Sequence, residues 1–442
     1  MRKTILVNKN NKIKASYYKH LKLIEIKNNN QQKIKVEEET YNAFLKLQEF
    51  LKEKEIIIDI ETAYIEDQQS FGNNCTNFEG QEHGTGLAID ITVKPTGKEP
   101  KEEIYMNIHK YLKDFGFILR YPKNKEQITG YEYNPYHIRY VGQIVSKIIQ
   151  ENNYTLEEYL ENFSGIILVN KEKNMTSFDV VNEISHLFGI KRVGHTGTLD
   201  PLAEGVLIVT IGKATKVVEL LTSTYKEYIA KVKLGIKTDT LDITGNILEE
   251  KSIPKITNLE KIIKSFEKTY MQEVPIYSAV KVNGKKLYEY ARSNQAVTLP
   301  KKEVTIKEIN IIEQSQDSFT FKTLVSKGCY IRSLINDIGN ALNTYATMTK
   351  LTRTKQGKIS IAETKKLSDI KNNNFQIYNI DEVLELPTIV VPPEIEQKIR
   401  TGQKLENNWK INDIVIFKNN NNQLLGIYEQ KEEKLVVWKN FV

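Results

Sequence analysis

A single aspartate lies in a loop of small residues near the middle of the chain. The segment 192–216 reads RVGHTGTLDPLAEGVLIVTIGKATK, in which Asp200 follows His195 by five residues and precedes an apolar run that predicts a strand. The loop 193–200 has no second carboxylate and no cysteine. A lone carboxylate can act as a nucleophile or as a base. A loop of this composition is equally typical of a turn whose Asp and Thr side chains bind local backbone groups.

The elements that must position this loop alternate irregularly between strand and helix over residues 165–385. Alternating apolar residues predict half-buried strands, and apolar residues at helical spacing predict helices. The predicted strands cover 165–171, 206–211, 227–236 and 319–326, and the predicted helices cover 176–190 and 330–343. Arg332 lies in the first turn of the last helix. This mixture predicts an α+β domain built around a largely antiparallel sheet.

The composition is that of a globular multidomain protein. The chain has 442 residues, of which 40% are hydrophobic and 27% charged, and this length predicts two or three domains. No stretch approaches the about 20 apolar residues that span a bilayer, and no apolar run near the N-terminus suits a signal peptide. Because Cys75 and Cys329 are far apart in sequence, we expect neither a disulfide framework nor a zinc knuckle, but a reduced, cytoplasmic protein. The net charge of +7 suits a polyanionic partner without requiring one.

Changes in sequence character divide the chain into four segments. Residues 1–150 have an α+β pattern that ends in a helix-like segment, and 151–164 is a polar, acidic connecting helix or linker. A new strand then opens the domain 165–385. Over 390–442, apolar runs are broken by KNNNN and QKEEK, which predicts a small β-rich domain of hairpins.

Five segments together resemble the TruB family of tRNA pseudouridine synthases. They occur in the family's order and at its spacing: the Asp200 loop, YKEYIAKVKLGIKTDTLDITG, VPIYSAVKVNGKKLYEYAR, SKGCYIRSLINDIG and MTKLTRTKQG. The resemblance covers essentially all of 165–442. It implies isomerisation of the T-loop uridine at tRNA position 55 without a cofactor, and a PUA-like or related small β-domain for RNA binding at 390–442.

The resemblance implies a catalytic role for three residues. Asp200 matches the family's essential aspartate, which acts either as a nucleophile at the ribose or as a base at the sugar. Arg332, in CYIRSL, is similar to the arginine that pairs with this aspartate, and a nearby positive charge keeps a carboxylate ionised. Tyr228, in KEYIAKV, resembles the tyrosine that stacks on the target base and takes up the C5 proton.

Two further residues match positions near the substrate base. The T-loop uridine must be extruded before it can react, and His195 resembles the histidine that fills the space the base leaves. Lys171 corresponds to a family lysine near the site. The sequence departs there from the usual Lys-Pro-x-Gly, because Glu172 replaces the proline and Asn174 the glycine. The geometry of this loop is therefore open.

Other positions resemble contacts with RNA. Leu351 and Arg353, in KLTRTKQG, resemble the segment that closes the pocket and touches RNA. The Lys-rich segments 281–286 and 300–307 are candidate phosphate contacts, although a solvated lysine face explains them equally well. The partner implied is the T-arm of tRNA, and we expect a monomer with no membrane association and no protein partner.

A second resemblance concerns residues 1–150. The segments QEHGTGLAIDI and ITGYEYNPYHIRYVG resemble the zinc D-Ala-D-Ala carboxypeptidases of the VanY type. That family binds its metal through a His-x6-Asp pair and a later histidine, and His83, Asp90 and His137 match them in order. Two imidazoles and a carboxylate are a sound ligand set for catalytic zinc. The resemblance therefore implies one zinc ion in this domain.

The catalytic groups of this second domain depart from the family pattern. The general base, a glutamate three residues before the last histidine, is replaced by Asn134, which cannot take a proton from a zinc-bound water. The arginine expected to hold the substrate carboxylate is replaced by Ile65. Glu132 would share a face with Asn134 if it lay on the same strand.

Three functional hypotheses follow. The first is a tRNA pseudouridine synthase with an appended, degenerate peptidase-like domain. The second is a bifunctional protein whose first domain still hydrolyses D-Ala peptides, which the replacements at 134 and 65 disfavour. The third is a non-catalytic protein that binds or folds tRNA, which the intact set Asp200, Tyr228 and Arg332 disfavours.

Overall fold

The computed structural model describes residues 2–8, 10–28, 30–65, 82–94 and 101–442. The chain forms two compact units. The first comprises residues up to Ser164 together with Asn182–Val193 and Ile211–Lys213, and the second comprises Gly165–Val181, Gly194–Thr210 and Ala214–Val442. Both units contain helices and sheets, so the predicted α+β class is confirmed. Cys75 lies outside the described residues.

The first unit is built around a four-stranded antiparallel sheet. Its strands up to residue 140 are β1 Leu23–Lys27, β2 Lys33–Glu37, β3 Ile57–Thr62, β4 Ala88–Lys94, β5 Phe117–Tyr121 and β6 Asn134–Tyr140. The sheet has the order β3-β4-β6-β5, and β1 and β2 form a separate hairpin. The helices are Ala15–Tyr18, Glu38–Lys52, Lys101–His109, Glu126–Thr129, Gln143–Glu151 and Leu156–Asn162, with 3-10 turns at Arg2–Thr4 and Leu112–Phe115.

The longest helix of this unit packs its apolar residues against the sheet. Glu38–Lys52 buries residues at spacings of three and four, namely Thr40, Phe44, Leu47 and Leu51. The last three of these pack in one apolar cluster with residues of β3, β4 and β6. The predicted helix around 144–150 is confirmed as Gln143–Glu151. Within the predicted connecting segment, the helix Leu156–Asn162 begins at Thr155 with a capping box.

From Ser164 onward the chain builds a nine-stranded sheet and two short hairpins. The strands are β7 Ser164–Lys171, β8 Val193–His195, β9 Glu204–Gly212, β10 Lys226–Leu234, β11 Ile236–Thr238, β12 Ile247–Glu250, β13 Thr269–Glu273, β14 Lys281–Val282, β15 Lys285–Lys286, β16 Lys301–Gln314, β17 Ser318–Val325, β18 Ala346–Gln356 and β19 Ile359–Ser360. The large sheet has the order β13-β16-β17-β10-β18-β9-β7, with β19 on β18 and β8 on β9. The pairings around β10 are antiparallel and β18 pairs with β9 in parallel, in agreement with the predicted, largely antiparallel sheet.

Helices cover this sheet and carry part of the site. They are Ser177–Phe188, Val218–Ser223, Leu259–Lys264, Leu287–Arg292, Ile331–Ala341, Leu367–Lys371 and Ile380–Leu384, with 3-10 turns at Lys213–Val217 and Ile361–Glu363. The helix Ile331–Ala341 buries Leu334, Ile335 and Ile338 in the same apolar cluster as residues of β10, β17 and β18. The helices predicted at 176–190 and 330–343 are therefore confirmed, with shorter ends.

The tail forms a five-stranded sheet of its own. Its strands are β20 Thr388–Val390, β21 Leu405–Glu406, β22 Ile414–Lys418, β23 Leu424–Lys431 and β24 Lys434–Asn440, and one helix, Pro393–Arg400, accompanies them. The order is β20-β22-β23-β24-β21, and β22, β23 and β24 are joined as antiparallel hairpins, as the sequence predicts. None of the helices in the described part of the chain is long and apolar enough to cross a bilayer.

Candidate active site and candidate metal site

The Asp200 loop is held by side chains of neighbouring elements. Ser177 Oγ, at the start of its helix, accepts from the Leu199 N–H at 2.9 Å. Gln356 Nε2, at the end of β18, donates to Thr196 Oγ1 at 2.7 Å. Ser177, Thr196 and Gln356 are all buried. The loop backbone directly before Asp200 is therefore fixed at two points by buried polar groups.

Arg353 braces the same loop from within the protein. It lies on β18 and is 1% exposed. Its Nε donates to the Val206 carbonyl at 2.6 Å and its Nη2 to the Gly197 carbonyl at 3.0 Å. Gly197 has a φ of +80°, a conformation that side chains rarely adopt. Arg353 is predicted to touch RNA; in the structure its guanidinium is buried, with Nε and Nη2 bound to one carbonyl of β9 and one of the Asp200 loop.

Asp200 and Arg332 form a two-point ion pair. Arg332 Nε lies 2.8 Å from Asp200 Oδ2, and its Nη2 donates to Oδ1 at 3.2 Å. The guanidinium is fixed further because Nη1 donates to the Thr240 carbonyl at 2.9 Å and Nη2 to the Tyr277 carbonyl at 3.0 Å. The arginine side chain is 5% exposed and the aspartate 34% exposed. One carboxylate thus stays accessible while a buried cation opposes it.

Lys171 lies close enough to Asp200 to interact with it electrostatically. Its side chain is fully buried at the end of β7 and donates to the carbonyls of Glu172 at 3.0 Å and Met175 at 2.6 Å. Burial lowers the pKa of Lys171 to about 8, although the nearby Asp200 acts in the opposite direction. The lysine therefore adds positive charge to the site at neutral pH and holds the following turn.

The departures from Lys-Pro-x-Gly do not disturb this turn. Asn174, at the position of the family's glycine, has a φ of +68°. Asparagine is one of the few residues other than glycine that adopt this left-handed conformation readily. Its backbone N–H donates to the Pro201 carbonyl at 2.8 Å, directly beside Asp200. The turn is thus bonded to the aspartate loop.

Tyr228 and Leu351 lie together beside the loop. Tyr228 is on β10, opposite Thr323 of β17 and Arg353 of β18, and is 7% exposed. Both residues belong to an apolar cluster that also contains Leu199 and Leu202, which flank Asp200. The structure therefore places an aromatic ring and an aliphatic side chain in the apolar surroundings of the carboxylate.

His195 lies at the end of β8 and is half-buried. Its Nδ1 is buried and has no hydrogen-bond partner among the described residues. Burial, with a smaller effect of the Arg353 charge, lowers the pKa of His195. The imidazole is therefore neutral at pH 7 and available for a contact that the free protein does not supply.

Sequence reasoning missed Tyr330 and Lys226. Burial raises the pKa of Tyr330, and both Arg332 and Asp200 are close enough to affect it. Lys226 is buried beside Arg353, donates to the carbonyls of residues 222 and 224, and has its pKa lowered by burial to about 8. Both residues stand in the quoted motifs, at CYIRSL and KEYIAKV, but their neighbours in space are distant in sequence.

A second cluster brings together the three predicted metal ligands. Antiparallel pairing of β4 with β6 sets Asp90 directly opposite His137. His137 Nδ1 lies 2.7 Å from Asp90 Oδ1, and His83 Nε2 lies 3.1 Å from Asp90 Oδ2. One ligand atom from each residue lies within 4.8 Å of the others. Ligand atoms around a tetrahedral zinc ion are about 3.3 Å apart, and the two distances to the Asp90 oxygens lie near that value.

The charge state of this cluster also suits a metal. Burial lowers the pKa of His137, so the ring is neutral at pH 7 and its lone pair is available. Burial acts to raise the pKa of Asp90, but hydrogen bonds with His137 and His83 outweigh it and keep the pKa below its usual value. His83 Nδ1 and His137 Nε2 are buried without a hydrogen-bond partner in the described residues. The imidazoles of His83 and His137 and the carboxylate of Asp90 thus converge on a single point.

Asn134, which stands at the position of the family's general base, makes hydrogen bonds within its own strand. Asn134, at the first position of β6, is buried, and its Oδ1 accepts from the N–H groups of Tyr136 and His137, both at 3.2 Å. It is therefore a turn-forming residue and not a proton acceptor. Glu132 is exposed and lies before the first residue of β6. The condition that it lies on the same strand as Asn134 is therefore not met.

Comparisons with known proteins found two families, each over a different part of the chain. The TruB family pseudouridylate synthase (N terminal domain) model matches residues 185–331. The tRNA pseudouridine synthase B of Oceanobacillus iheyensis is 42% identical over 280 residues, which are 60% of this chain and 92% of that protein. That of Staphylococcus saprophyticus is 41% identical over 294 residues, 62% of this chain and 96% of the relative. The chain belongs to the TruB family.

Solved structures and a second family model complete the comparison. The TruB-like part resembles a chain in the crystal structure of a Cbf5-Nop10-Gar1 complex, with 24% identity, a TM-score of 0.50 and coverage of 65% of this chain and 87% of that one, a likeness of fold. The D-alanyl-D-alanine carboxypeptidase model, VanY, matches residues 73–143. VanYB in complex with D-Alanine-D-Alanine aligns over 36% of this chain and 98% of its own at 27% identity and a TM-score of 0.31. This TruB family chain also contains a segment, residues 73–143, that is similar to D-alanyl-D-alanine carboxypeptidases.

Proposed function

We propose that this TruB family protein is a tRNA pseudouridine synthase that isomerises the T-loop uridine at position 55. The observation that carries the proposal is the two-point ion pair between the accessible Asp200 and the buried Arg332, beside the ring of Tyr228. Two relatives that align with this chain over more than nine tenths of their own length are tRNA pseudouridine synthases B. A tRNA substrate places the activity in the cytoplasm.

The reaction needs no reagent beyond the substrate. The C1′–N1 glycosidic bond breaks, the base turns within the site, and a C1′–C5 bond forms. C5 loses its proton and N1 gains one, so the composition of the nucleotide is unchanged. Asp200 acts at the sugar, as nucleophile at C1′ or as base at the ribose, and Arg332 holds its carboxylate in place. Tyr228 stacks on the base and takes up the C5 proton.

The surroundings of Asp200 suit an extruded base. The neutral, half-buried His195, whose Nδ1 has no hydrogen-bond partner in the described part of the chain, fills the space left in the RNA. Leu351 contributes apolar contact to the base, and Lys171 adds positive charge. We assign Arg353 a role in holding the loop, because its Nε and Nη2 donate to backbone carbonyls.

RNA affinity comes from surfaces outside the pocket. The hairpin of β14 and β15 and the helix after it present cations over tyrosine rings, with Lys285 Nζ 4.7 Å and Arg292 Cζ 5.2 Å from the rings of Tyr290 and Tyr288. We propose that this hairpin and the β-rich tail 390–442 bind the T-arm and neighbouring phosphates, since phosphate neutralisation dominates nucleic-acid affinity. The protein acts as a monomer.

Mapping of pseudouridine in an unmodified tRNA transcript tests the proposal. Purified protein is incubated with the transcript and with a second transcript in which U55 is replaced by cytidine. We expect one pseudouridine, at position 55, in the first RNA and none in the second. A product at another uridine would overturn the assignment of position 55. The absence of product from both RNAs would overturn the proposal that the protein is a pseudouridine synthase.

We further propose that the VanY-type domain holds one zinc ion through His83, Asp90 and His137 but does not hydrolyse peptides. Zinc at such a site would polarise a bound water. Asn134 cannot take a proton from that water, and Ile65 supplies no charge for a substrate carboxylate. Elemental analysis together with an assay for D-Ala release from D-Ala-D-Ala-ended peptides separates the two statements. Release by the wild-type protein would establish the bifunctional alternative instead.

A further inference from the structure

The helix that carries Arg332 is fixed at its start by a residue from another strand. The helix Ile331–Ala341 has Tyr330 as its N-cap residue, and the Tyr330 side chain makes no capping hydrogen bond. The Tyr330 N–H instead donates to Gln272 Oε1 of β13 at 2.8 Å. Unsatisfied N–H groups at a helix start must find such partners. Gln272 therefore binds the chain two residues before the catalytic arginine.

The other end of the same amide is tied to the middle of the helix. Gln272 is 1% exposed, and its Nε2 donates to the Tyr270 hydroxyl at 2.9 Å. That hydroxyl donates to Asp337 Oδ2 at 3.0 Å, and Asp337 lies five residues after Arg332 on the helix. The chain of bonds thus runs from the helix start, through β13, back to the helix. A continuous hydrogen-bonded network of this kind, centred on the buried Gln272, holds one geometry.

The segment after Gln272 completes this attachment. The Glu273 carbonyl accepts from Ser333 Oγ at 2.8 Å, and the Tyr277 carbonyl accepts from Arg332 Nη2 itself at 3.0 Å. Any shift of β13 relative to the helix therefore moves both the backbone of Arg332 and an acceptor of its guanidinium. The two-point pairing with Asp200 depends on both.

We propose that Gln272 is a positioning residue for the isomerisation, acting through Arg332 on the orientation of Asp200. This inference rests on the proposed function. Among the residues that the structure describes, Gln272 makes no side-chain hydrogen bond to Asp200 or to the Arg332 guanidinium, so we assign its contribution to geometry. Displacements on the order of 1 Å at a reacting centre can cost about a hundredfold in rate. A tilt at the start of the helix would displace Arg332 in this way.

The test compares kcat and KM for three variants with the wild type. Gln272→Met keeps the size of the side chain and removes its hydrogen bonds with Tyr330, Tyr270 and Cys329, and we expect kcat to fall about tenfold with KM for the RNA within about twofold. Tyr270→Phe removes only the far link, and we expect a loss of about threefold in kcat. Thr344→Val is the matched control. Thr344 is equally buried, follows the other end of the same helix and donates to the Ser252 carbonyl at 3.1 Å, so its kcat should equal that of the wild type.

Each outcome of this comparison either supports or overturns the proposed role of Gln272. If the folded Gln272→Met and Thr344→Val proteins turn over equally, Gln272 has no positioning role. If Gln272→Met fails to fold, the single-atom change Tyr270→Phe carries the test, and a kcat equal to that of Thr344→Val would overturn the proposal. A wild-type protein without activity would instead overturn the proposed function.

Discussion

Removal of the Arg332 guanidinium should destabilise the TruB-like part of the protein by a predictable amount. Arg332→Met keeps the length of the side chain but deletes the two contacts to Asp200 and those to the Thr240 and Tyr277 carbonyls. Breaking a buried ion pair typically costs about 3–5 kcal/mol. Asp200 keeps a third of its side-chain exposure, so water replaces part of the loss, and we expect about 3 kcal/mol.

A double-mutant cycle separates the ion pair from the other contacts. Asp200→Asn leaves the guanidinium with its two carbonyl acceptors but without a counter-charge, and we expect a loss of about 2 kcal/mol. Since both changes break the same pair, the double variant should lose about 3 kcal/mol and not the additive 5. Arg292→Met, at an exposed arginine, is the matched control and should lie within about 0.5 kcal/mol of the wild type.

Tryptophan fluorescence during urea unfolding measures these differences in the right part of the chain. Both tryptophans of the protein, Trp409 and Trp438, lie in the tail. Trp438 packs against the apolar cluster that contains Ile166 and Val206 of the nine-stranded sheet. The reasoning fails if Arg332→Met unfolds with the wild-type free energy, or if the two single effects add without coupling.

Three further predictions concern the remaining groups. Tyr228→Phe keeps the aromatic face and deletes the hydroxyl, so kcat should fall by at least about a hundredfold while RNA affinity measured by filter binding changes little; retained activity would leave the tyrosine with stacking alone. Lys171 has a pKa of about 8 when folded against the ordinary 10.5, so the unfolded chain binds more protons between these values and stability should rise with pH there. Relative to Lys171→Met, the wild type should gain up to about 3 kcal/mol in urea unfolding between pH 8 and 10.5, and an unchanged difference would contradict the buried, perturbed amine. The intact protein should contain about one zinc ion by elemental analysis, His137→Ala should lose it, and neither should release D-Ala; a metal-free wild type would leave the VanY-type domain with a structural role only.

Local patterns in the sequence predicted most of the elements that carry the site. The alternation over 227–236 became β10, and apolar spacing after Thr176 became the helix Ser177–Phe188. Thr176 Oγ1 accepts from the Asp179 N–H, and the Asp179 carboxylate accepts from the Thr176 N–H in return. Such signals survive in a single sequence because they act between residues three or four positions apart.

What could not be predicted depends on contacts between distant segments. The sequence of β18 does not reveal that Arg353 turns inward to the carbonyls of Val206 and Gly197, more than 140 residues earlier. The role of Gln272 likewise depends on a partner 58 residues away. The family resemblance named Asp200 and Arg332, but the carbonyls that hold the guanidinium belong to turns whose sequences carry no sign of it.

The most direct test of the central claim compares two aspartate-to-asparagine variants on the same RNA. Asp200→Asn removes the proposed catalytic carboxylate, and Asp317→Asn changes a carboxylate in the turn between β16 and β17 that pairs with Lys233. Both should bind the tRNA transcript like the wild type, because affinity comes from phosphate contacts. We predict pseudouridine at position 55 with wild-type and Asp317→Asn protein and none with Asp200→Asn. Turnover by folded Asp200→Asn within about tenfold of the wild type would contradict the assignment of Asp200 as the catalytic group.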